Sequence, residues 1–423
     1  MQSNIKGAGN EVSQEIERVV LVAVSDKGNT EEVMESVNEL EELAKTAGAV
    51  TVDKIIQNRE AVHPGTYVGK GKIEEIKDAL YVTKAHGIIT DDELTPAQMK
   101  NLEQELDCKV MDRSLLILDI FAKHAHTAEG ILQVELAQLN YRVSRLQGLG
   151  TSMSRLGGGI GTRGPGEKKL ETDRRHIRKR AAILRSELKE VKQHRDMLRN
   201  NRKKQNKPVI AIAGYTNAGK STLLNALTDA SVLEEDQLFA TLDPTTRALT
   251  LPEGKEIFLT DTVGFIHKLP HHLVEAFQST LEEVAYADVI VHVVDGSNPS
   301  FEKHINVVYE TLDQLHASHI PVLTVFNKMD KVIESLAVLK DPRAFETSYV
   351  SAKEGTGLDE LKEIIETKLR DGQQLIKVRI PYDKGHIVQN IRTYGQLLEE
   401  RFEADGIYVE AYLEDALINK YDL

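Results

Sequence analysis

Eight consecutive residues near the middle of the chain, Gly214-Tyr215-Thr216-Asn217-Ala218-Gly219-Lys220-Ser221, have the types and spacing needed to hold a row of phosphates. The pattern is G-x-x-x-x-G-K-[ST]. Its glycines let backbone amides converge on phosphate oxygens, and a helix starting at its end adds a favourable dipole. Lys220 would reach the β- and γ-phosphates, and the Ser221 hydroxyl would coordinate Mg²⁺. Forty residues beyond Ser221, Ile257-Phe258-Leu259-Thr260-Asp261 ends in a carboxylate and runs into Thr262-Val263-Gly264. Asp261 can hold the same Mg²⁺ through water, and the Gly264 amide can meet a γ-phosphate. D-x-x-G alone is a common tetrapeptide; behind a phosphate loop it gains meaning. Between the two lies Phe239-Ala240-Thr241-Leu242-Asp243-Pro244-Thr245-Thr246. Thr241 can give Mg²⁺ a second hydroxyl when a triphosphate is bound, ordering the segment in that state only. Thr245 and Thr246 compete for the role.

A second group reads a base. Asn327-Lys328-Met329-Asp330 follows the apolar run Val325-Phe326, and Ser351-Ala352-Lys353 lies further on. Asp330 can accept both N1–H and the exocyclic N2–H of guanine, whereas adenine presents the wrong pattern and leaves the site's polar groups unpaired. The Lys328 stem would pack over the base, and Ser351-Ala352-Lys353 would support its O6 side. The expected ligands are therefore GTP and GDP with Mg²⁺, and the expected catalytic groups are Lys220, Thr241 and Gly264. Many regulatory GTPases place a water-orienting glutamine directly after D-x-x-G. Here that residue is Phe265, which cannot hydrogen-bond water, so slow intrinsic hydrolysis completed by a partner is expected.

These residues need elements to position them. Val209–Ala213 is a continuous apolar run feeding the phosphate loop, Thr222–Leu227 opens the following helix, and strand-helix alternation continues to about Leu369. That pattern predicts a doubly wound α/β domain over 207–370. Upstream, strands at Glu17–Val24, Val50–Ile56 and Gly87–Thr90 alternate with helices at Thr30–Ala47, Ile73–Ala85 and Thr95–Leu106. They predict a small α/β domain over 1–111, and its Val68-Gly69-Lys70-Gly71-Lys72 stretch reads as a strand-to-helix turn rather than a phosphate loop. Residues 112–206 read as two long helices. The first carries the stripe Ile131, Val134, Leu136, Leu139, Val143 and Leu146, and the second spans Lys168–Lys203. They are joined by 148–166, where 8 of 19 residues are glycine. The remainder, 371–423, reads as strand (Leu375–Ile380), helix (His386–Phe402) and strand (Ile407–Tyr412), a small α+β unit.

Composition bounds the rest. The 423 residues are 28% charged and 41% hydrophobic, with one cysteine, Cys108, so no intramolecular disulfide can form and a reducing cytoplasm is expected. No uncharged apolar run approaches membrane-spanning length, and the first residues carry no targeting pattern, so a soluble, untargeted protein is expected. The net charge of −13 argues against a nucleic-acid partner only as an average. Thr151 to Lys207 holds 18 Lys and Arg against 6 Asp and Glu, leaving the other residues at −25. Arg155, Arg163, Lys168, Lys169, Arg174, Arg175, Arg178, Lys179 and Arg180 make a compact cationic end beside the glycine-rich segment, which predicts RNA binding there. The stretch has no Phe, Tyr or Trp, so contacts should be to phosphates and RNA shape rather than stacked bases.

The N-K-M-D and S-A-K elements behind G-Y-T-N-A-G-K-S mark a translation-factor-class GTPase. The F-A-T-L-D-P-T-T-R, D-T-V-G-F-I and G-G-G-I-G-T-R-G-P-G-E-K-K-L-E-T-D-R-R segments closely resemble the HflX family over essentially the whole chain. The resemblance implies binding to the large ribosomal subunit near its peptidyl-transferase region. It also implies dissociation of stalled or idle 70S ribosomes under heat or antibiotic stress. Asn217 resembles the asparagine that binds K⁺ in cation-activated GTPases; it either ligates K⁺ or braces the loop. Alternatives are a large-subunit assembly GTPase and a nucleotide-driven rRNA-remodelling protein, although the N-terminal domain has no second phosphate loop. A monomer off the ribosome is expected.

Overall fold

A computed structural model describes residues 16–25, 30–153, 165–204, 207–228, 238–239, 245–268, 283–332 and 339–423. It divides into two units, 1–120 with 141–174 and 121–140 with 175–423.

In the first unit, β1 (Glu17–Ser25), β2 (Ala49–Asn58), β3 (Gly87–Thr90) and β4 (Lys109–Asp112) form a sheet in the order β2-β1-β3-β4, every pair parallel. The crossovers are α1 (Thr30–Thr46), α2 (Lys70–Thr83) and α3 (Pro96–Leu106). Thr95 closes a capping box with Gln98 at the start of α3. Gly69 is the N-cap of α2, and β2 ends well upstream at Asn58, so the Val68–Lys72 stretch is a loop-to-helix start rather than the strand-to-helix turn read from sequence. β4 is a strand that the sequence reading lacks: four residues carry too little pattern to separate from the helix α4 (Arg113–His124) that follows without a break.

Two long helices come next, α5 (Ala128–Met153) and α6 (Pro165–Lys204). Within the second unit they pack through Leu136, Ala181 and Leu184, with Leu132, Leu139 and Leu188 around them. Ile131, placed in the apolar stripe from sequence, is half-exposed.

The second unit also holds β5 (Val209–Gly214), α7 (Lys220–Thr228), β6 (Thr245–Thr250), β7 (Glu256–Asp261), β8 (Val289–Asp295), α8 (Phe301–Gln314), β9 (Val322–Asn327), β10 (Glu346–Tyr349) and α9 (Leu358–Lys368). Their sheet runs β10-β9-β8-β5-β7-β6; only the edge strand β6 is antiparallel. β5, β8 and β9 are almost wholly buried, which is why their sequences are continuous apolar runs rather than alternating ones.

A last sheet, β11 (Gln373–Ile380), β12 (Gln396–Glu403) and β13 (Gly406–Glu414), is antiparallel in the order β11-β13-β12 and is covered by α10 (Gly385–Tyr394) and α11 (Asp415–Tyr421). Here the sequence reading of one helix over His386–Phe402 is corrected: α10 stops at Tyr394, and 396–403 is a strand paired with β13 through a bulge between Leu397 and Glu399. The break is Gly395, where a Cβ would come within 2.3 Å of Leu413 Cδ2 and 2.9 Å of the Tyr412 carbonyl. The run Leu397-Leu398-Glu399-Glu400-Arg401 keeps a helical look because the bulge spoils its period of two.

Candidate functional site

The candidate phosphate loop connects β5 to α7. A Cβ on Gly214 would lie 2.2 Å from the Val293 carbonyl, and one on Gly219, which has φ +91°, would lie 2.3 Å from Asn327 Nδ2. Both positions therefore need glycine, the first for packing against β8 and the second for approach to the base-reading loop. Lys220 is buried, its Nζ donating to the Tyr215 carbonyl at 2.9 Å. Burial lowers its pKa to about 8; Asp261 opposes the shift and Lys328 adds to it. A dehydrated ammonium of this kind gains more from an arriving phosphate than a solvated one does.

Ser221 Oγ donates to Asp261 Oδ2 at 2.7 Å, so the start of α7 and the end of β7 are joined at one point. Asp261 is fully buried and Thr262 Oγ1 donates to the Ile212 carbonyl at 2.8 Å, fixing the strand end beside β5. A hydroxyl and a carboxylate in hydrogen-bond contact are a donor set that suits Mg²⁺, a hard cation that keeps several waters and takes phosphate oxygens. Among the described residues no three His, Cys, Asp or Glu side chains form a metal-sized group.

Gly264 packs against the phosphate loop: a Cβ there would meet Thr216 Cγ2 at 2.7 Å and Lys220 Nζ at 3.0 Å. Val263 and the next residue, Phe265, are buried. Phe265 forms a parallel bridge with Tyr215, its carbonyl accepting from Thr216 N at 2.8 Å and its amide donating to the Gly214 carbonyl at 3.1 Å. His267 N donates to the Tyr215 hydroxyl at 2.8 Å. The position that holds a glutamine elsewhere thus carries a ring packed into the protein.

Asn327 is buried and staples two loops, donating from Nδ2 to the Ala218 carbonyl and accepting from Ala352 N, each at 3.0 Å. Lys328, at φ +63°, donates from Nζ to the Asn217 carbonyl at 2.7 Å and pairs with Asp295 at 2.8 Å. Asp330 is exposed one residue beyond Met329, and the Ser351 hydroxyl donates to it at 2.7 Å, which lowers its pKa. Ala352 is buried and Lys353 exposed. The candidate base-reading residues are thereby gathered on one rim. Asp295 was missed from sequence; it ends the apolar strand Val289–Asp295 just as Asp261 ends β7, and that shared signal could have found it.

Ala240, Thr241, Leu242 and Asp243 lie outside the described residues. Phe239 is buried, edge-to-face on Phe121 with centroids 4.7 Å apart, so its side chain is a packing anchor. Thr245 and Thr246 are the first residues of β6, and the Thr246 hydroxyl bonds that of Thr260 at 3.0 Å, a contact that occupies it away from the cation position.

Of the cationic set, Arg155 and Arg163 lie outside the described residues, while Lys168 and Lys169 fall in the first turns of α6. Arg175, Arg178 and Lys179 are exposed, with no ion-pair partner among the described residues. Arg174 is half-buried and 3.9 Å from Glu171. Arg180 differs: Glu135 on α5 accepts from it at 2.7 and 2.8 Å, a two-point pair that takes it out of the free cations.

A doubly wound sheet with a phosphate loop, an acidic strand end behind it and a guanine-type rim defines a P-loop GTPase. Residues 34–122, 124–202 and 209–328 match family models described as GTP-binding GTPase N-terminal, GTP-binding GTPase Middle Region and 50S ribosome-binding GTPase. The chain is 59% identical over 401 residues to GTPase HflX of Lacrimispora saccharolytica, covering 95% of this chain and 94% of that one. To GTPase HflX of Escherichia coli it is 41% identical over 375 residues, 88% of each chain. Among solved structures it is similar to a GTP-binding protein from Sulfolobus solfataricus in complex with GDP, at 26% identity, a TM-score of 0.44, and coverage of 84% of this chain and 98% of that one. The chain belongs to the HflX family of GTPases and hydrolyses GTP. Among the described residues no helix is long and apolar enough to cross a membrane.

Proposed function

We propose that this GTPase binds the large ribosomal subunit through its helical hairpin and dissociates stalled or idle 70S ribosomes in the cytoplasm under stress. The observation that carries the reading is the exposed trio Arg175, Arg178 and Lys179, unpaired among the described residues on a helix whose neighbouring Arg180 is paired. Unpaired cations on one helix face suit RNA phosphates, and the description of the family model over 209–328 supports the ribosome as their source.

In the nucleotide site, Lys220 exchanges the Tyr215 carbonyl for phosphate oxygens. Ser221 and Asp261 would hold Mg²⁺, Thr241 would give it a second hydroxyl in the triphosphate state, and the Gly264 amide would meet the γ-phosphate. Mg²⁺ when bound neutralises charge on the phosphates. Asp330 takes the guanine edge, with Ser351 orienting its carboxylate. Phe265 supplies no water-orienting group, so the ribosome or a K⁺ ion held by Asn217 completes the site.

The deciding experiment incubates the protein with 70S ribosomes and GTP or a non-hydrolysable analogue and resolves the particles on a gradient. Subunit separation with either nucleotide supports ribosome splitting. Association confined to immature large subunits assigns it to subunit assembly, and intact 70S peaks with no co-migration overturn the ribosomal reading.

A further inference from the structure

The turn between β6 and β7 is held by residues from α9 and its C-terminal end and from the C-terminal sheet. Glu366 on α9 is buried, and both its carboxylate oxygens accept from the Glu253 amide at 3.3 Å. Arg370, just past α9, pairs with Glu253 at 2.5 Å and Glu366 at 3.2 Å, and its guanidinium lies 4.6 Å from the centre of the Tyr412 ring on β13. Gln396, the first residue of β12, donates to the Glu253 carbonyl at 3.4 Å and to Glu366 at 3.5 Å. The C-terminal sheet therefore reaches the turn directly through Gln396, and Tyr412 reaches it only by way of Arg370.

The other end of the same hairpin is the nucleotide site. The register pairs Thr250 with Glu256 near the turn and Thr245 with Asp261 at the far end, where Asp261 meets Ser221. Five strand steps span roughly 17 Å. β6 is an edge strand paired only with β7, so it can shift without breaking another ladder.

Beside the close Arg370–Glu253 pair, the rest of the joint is built loosely. Its amide contacts are long, at 3.3 to 3.5 Å, and Gln396 Oε1, Gln373 Oε1 and Arg370 Nε are buried with no hydrogen-bond partner among the described residues. A cavity of about 390 Å³ opens beside it, lined by Glu253, Lys255, Gln373, Arg392 and Gln396 among others. A buried polar network satisfied only in part has little to lose by rearranging.

We propose that the Glu253–Glu366–Arg370–Gln396 joint couples the C-terminal domain to the nucleotide site through the β6–β7 hairpin, so that a change at Asp261 alters the seating of β12 and β13, and the reverse. By linkage the effect runs both ways: a partner seated on the C-terminal domain alters guanine-nucleotide affinity.

The test uses the full chain, alone, as wild type, Gln396→Leu and Arg370→Lys. Hydrogen exchange over 396–413 is compared with GDP and with a non-hydrolysable GTP analogue, and release of a fluorescent GDP is timed. Wild type should show nucleotide-dependent exchange. Gln396→Leu, which removes the amide but keeps the bulk, should lose that dependence and change GDP release by about threefold or more, while Arg370→Lys retains part of it. A merely structural joint would lower the melting temperature and leave the nucleotide dependence intact. Identical exchange in both nucleotides for wild type, or a dependence undiminished in Gln396→Leu, overturns the proposal.

Discussion

Ser221 Oγ and Asp261 Oδ2 stand 2.7 Å apart, a hydroxyl from the first turn of α7 hydrogen-bonded to a carboxylate at the end of β7. A Mg²⁺ ion arriving with the nucleotide would be held by this hydroxyl and this carboxylate, and would neutralise charge on the phosphates beside them. Ser221→Ala and Asp261→Asn should each lower Mg²⁺-dependent GTP turnover by about 100-fold, while GDP binding in EDTA is weakened far less. Phosphate release against Mg²⁺ concentration checks this, and turnover within a few-fold of wild type in either variant would place the cation elsewhere.

Lys220 makes nucleotide affinity depend on pH. Burial holds its pKa at about 8 in the free protein, and a bound phosphate, stabilising the ammonium, raises it. Below that value the side chain is charged in both free and bound states, so affinity is flat. Above it the free protein must take up a proton to bind, and GDP affinity should fall by about tenfold per pH unit. Titration with a fluorescent GDP between pH 7 and 9 tests the sign: constant affinity across that range would mean that the ammonium is not desolvated in the free protein.

The candidate nucleotide site is legible as a cluster because its motifs are local: G-x-x-x-x-G-K-S, the strand ending in Asp261, and Asn327 to Asp330 each place their groups within a few residues along the chain. Relationships between distant residues were not. That Arg180 belongs to Glu135 depends on helices α5 and α6 meeting across 45 positions, and a run of nine cations in sequence gives no hint of which one is paired. Asn327 looked like part of a base reader and is also the staple between the Ala218 and Ala352 loops. β12 was hidden by its bulge. The pairing of Arg180 and the stapling by Asn327 are decided by tertiary contact, whereas the four-residue β4 and the bulged β12 are obscured by their own local backbone.

The pairing of Arg180 separates two kinds of hairpin variant. Arg174, Arg175 and Arg178 changed together to Glu should abolish co-sedimentation with large subunits and leave GDP affinity unchanged. Arg180→Glu places a carboxylate against Glu135 and should act mainly by loosening α5 from α6, visible as a lower melting temperature. Wild-type binding should weaken steeply with salt, because each phosphate contact releases a counterion. Cosedimentation of the triple Glu variant at wild-type levels would move the RNA-binding surface off α6.

A test at Asn217 asks what completes a site whose D-x-x-G is followed by a buried phenylalanine. Its backbone sits at φ +59° with its carbonyl tied to Lys328, while the residue itself is exposed. The loop is thus braced by the main chain, which leaves the side-chain amide for another task. If that task is K⁺ ligation, turnover without ribosomes should be higher in K⁺ than in Na⁺ at equal ionic strength by about 100-fold, the scale of one added charge-stabilising contact. Asn217→Ala should then remove the difference while keeping GDP affinity. Equal rates in the two salts would assign Asn217 to bracing and leave the ribosome as the source of the activating group.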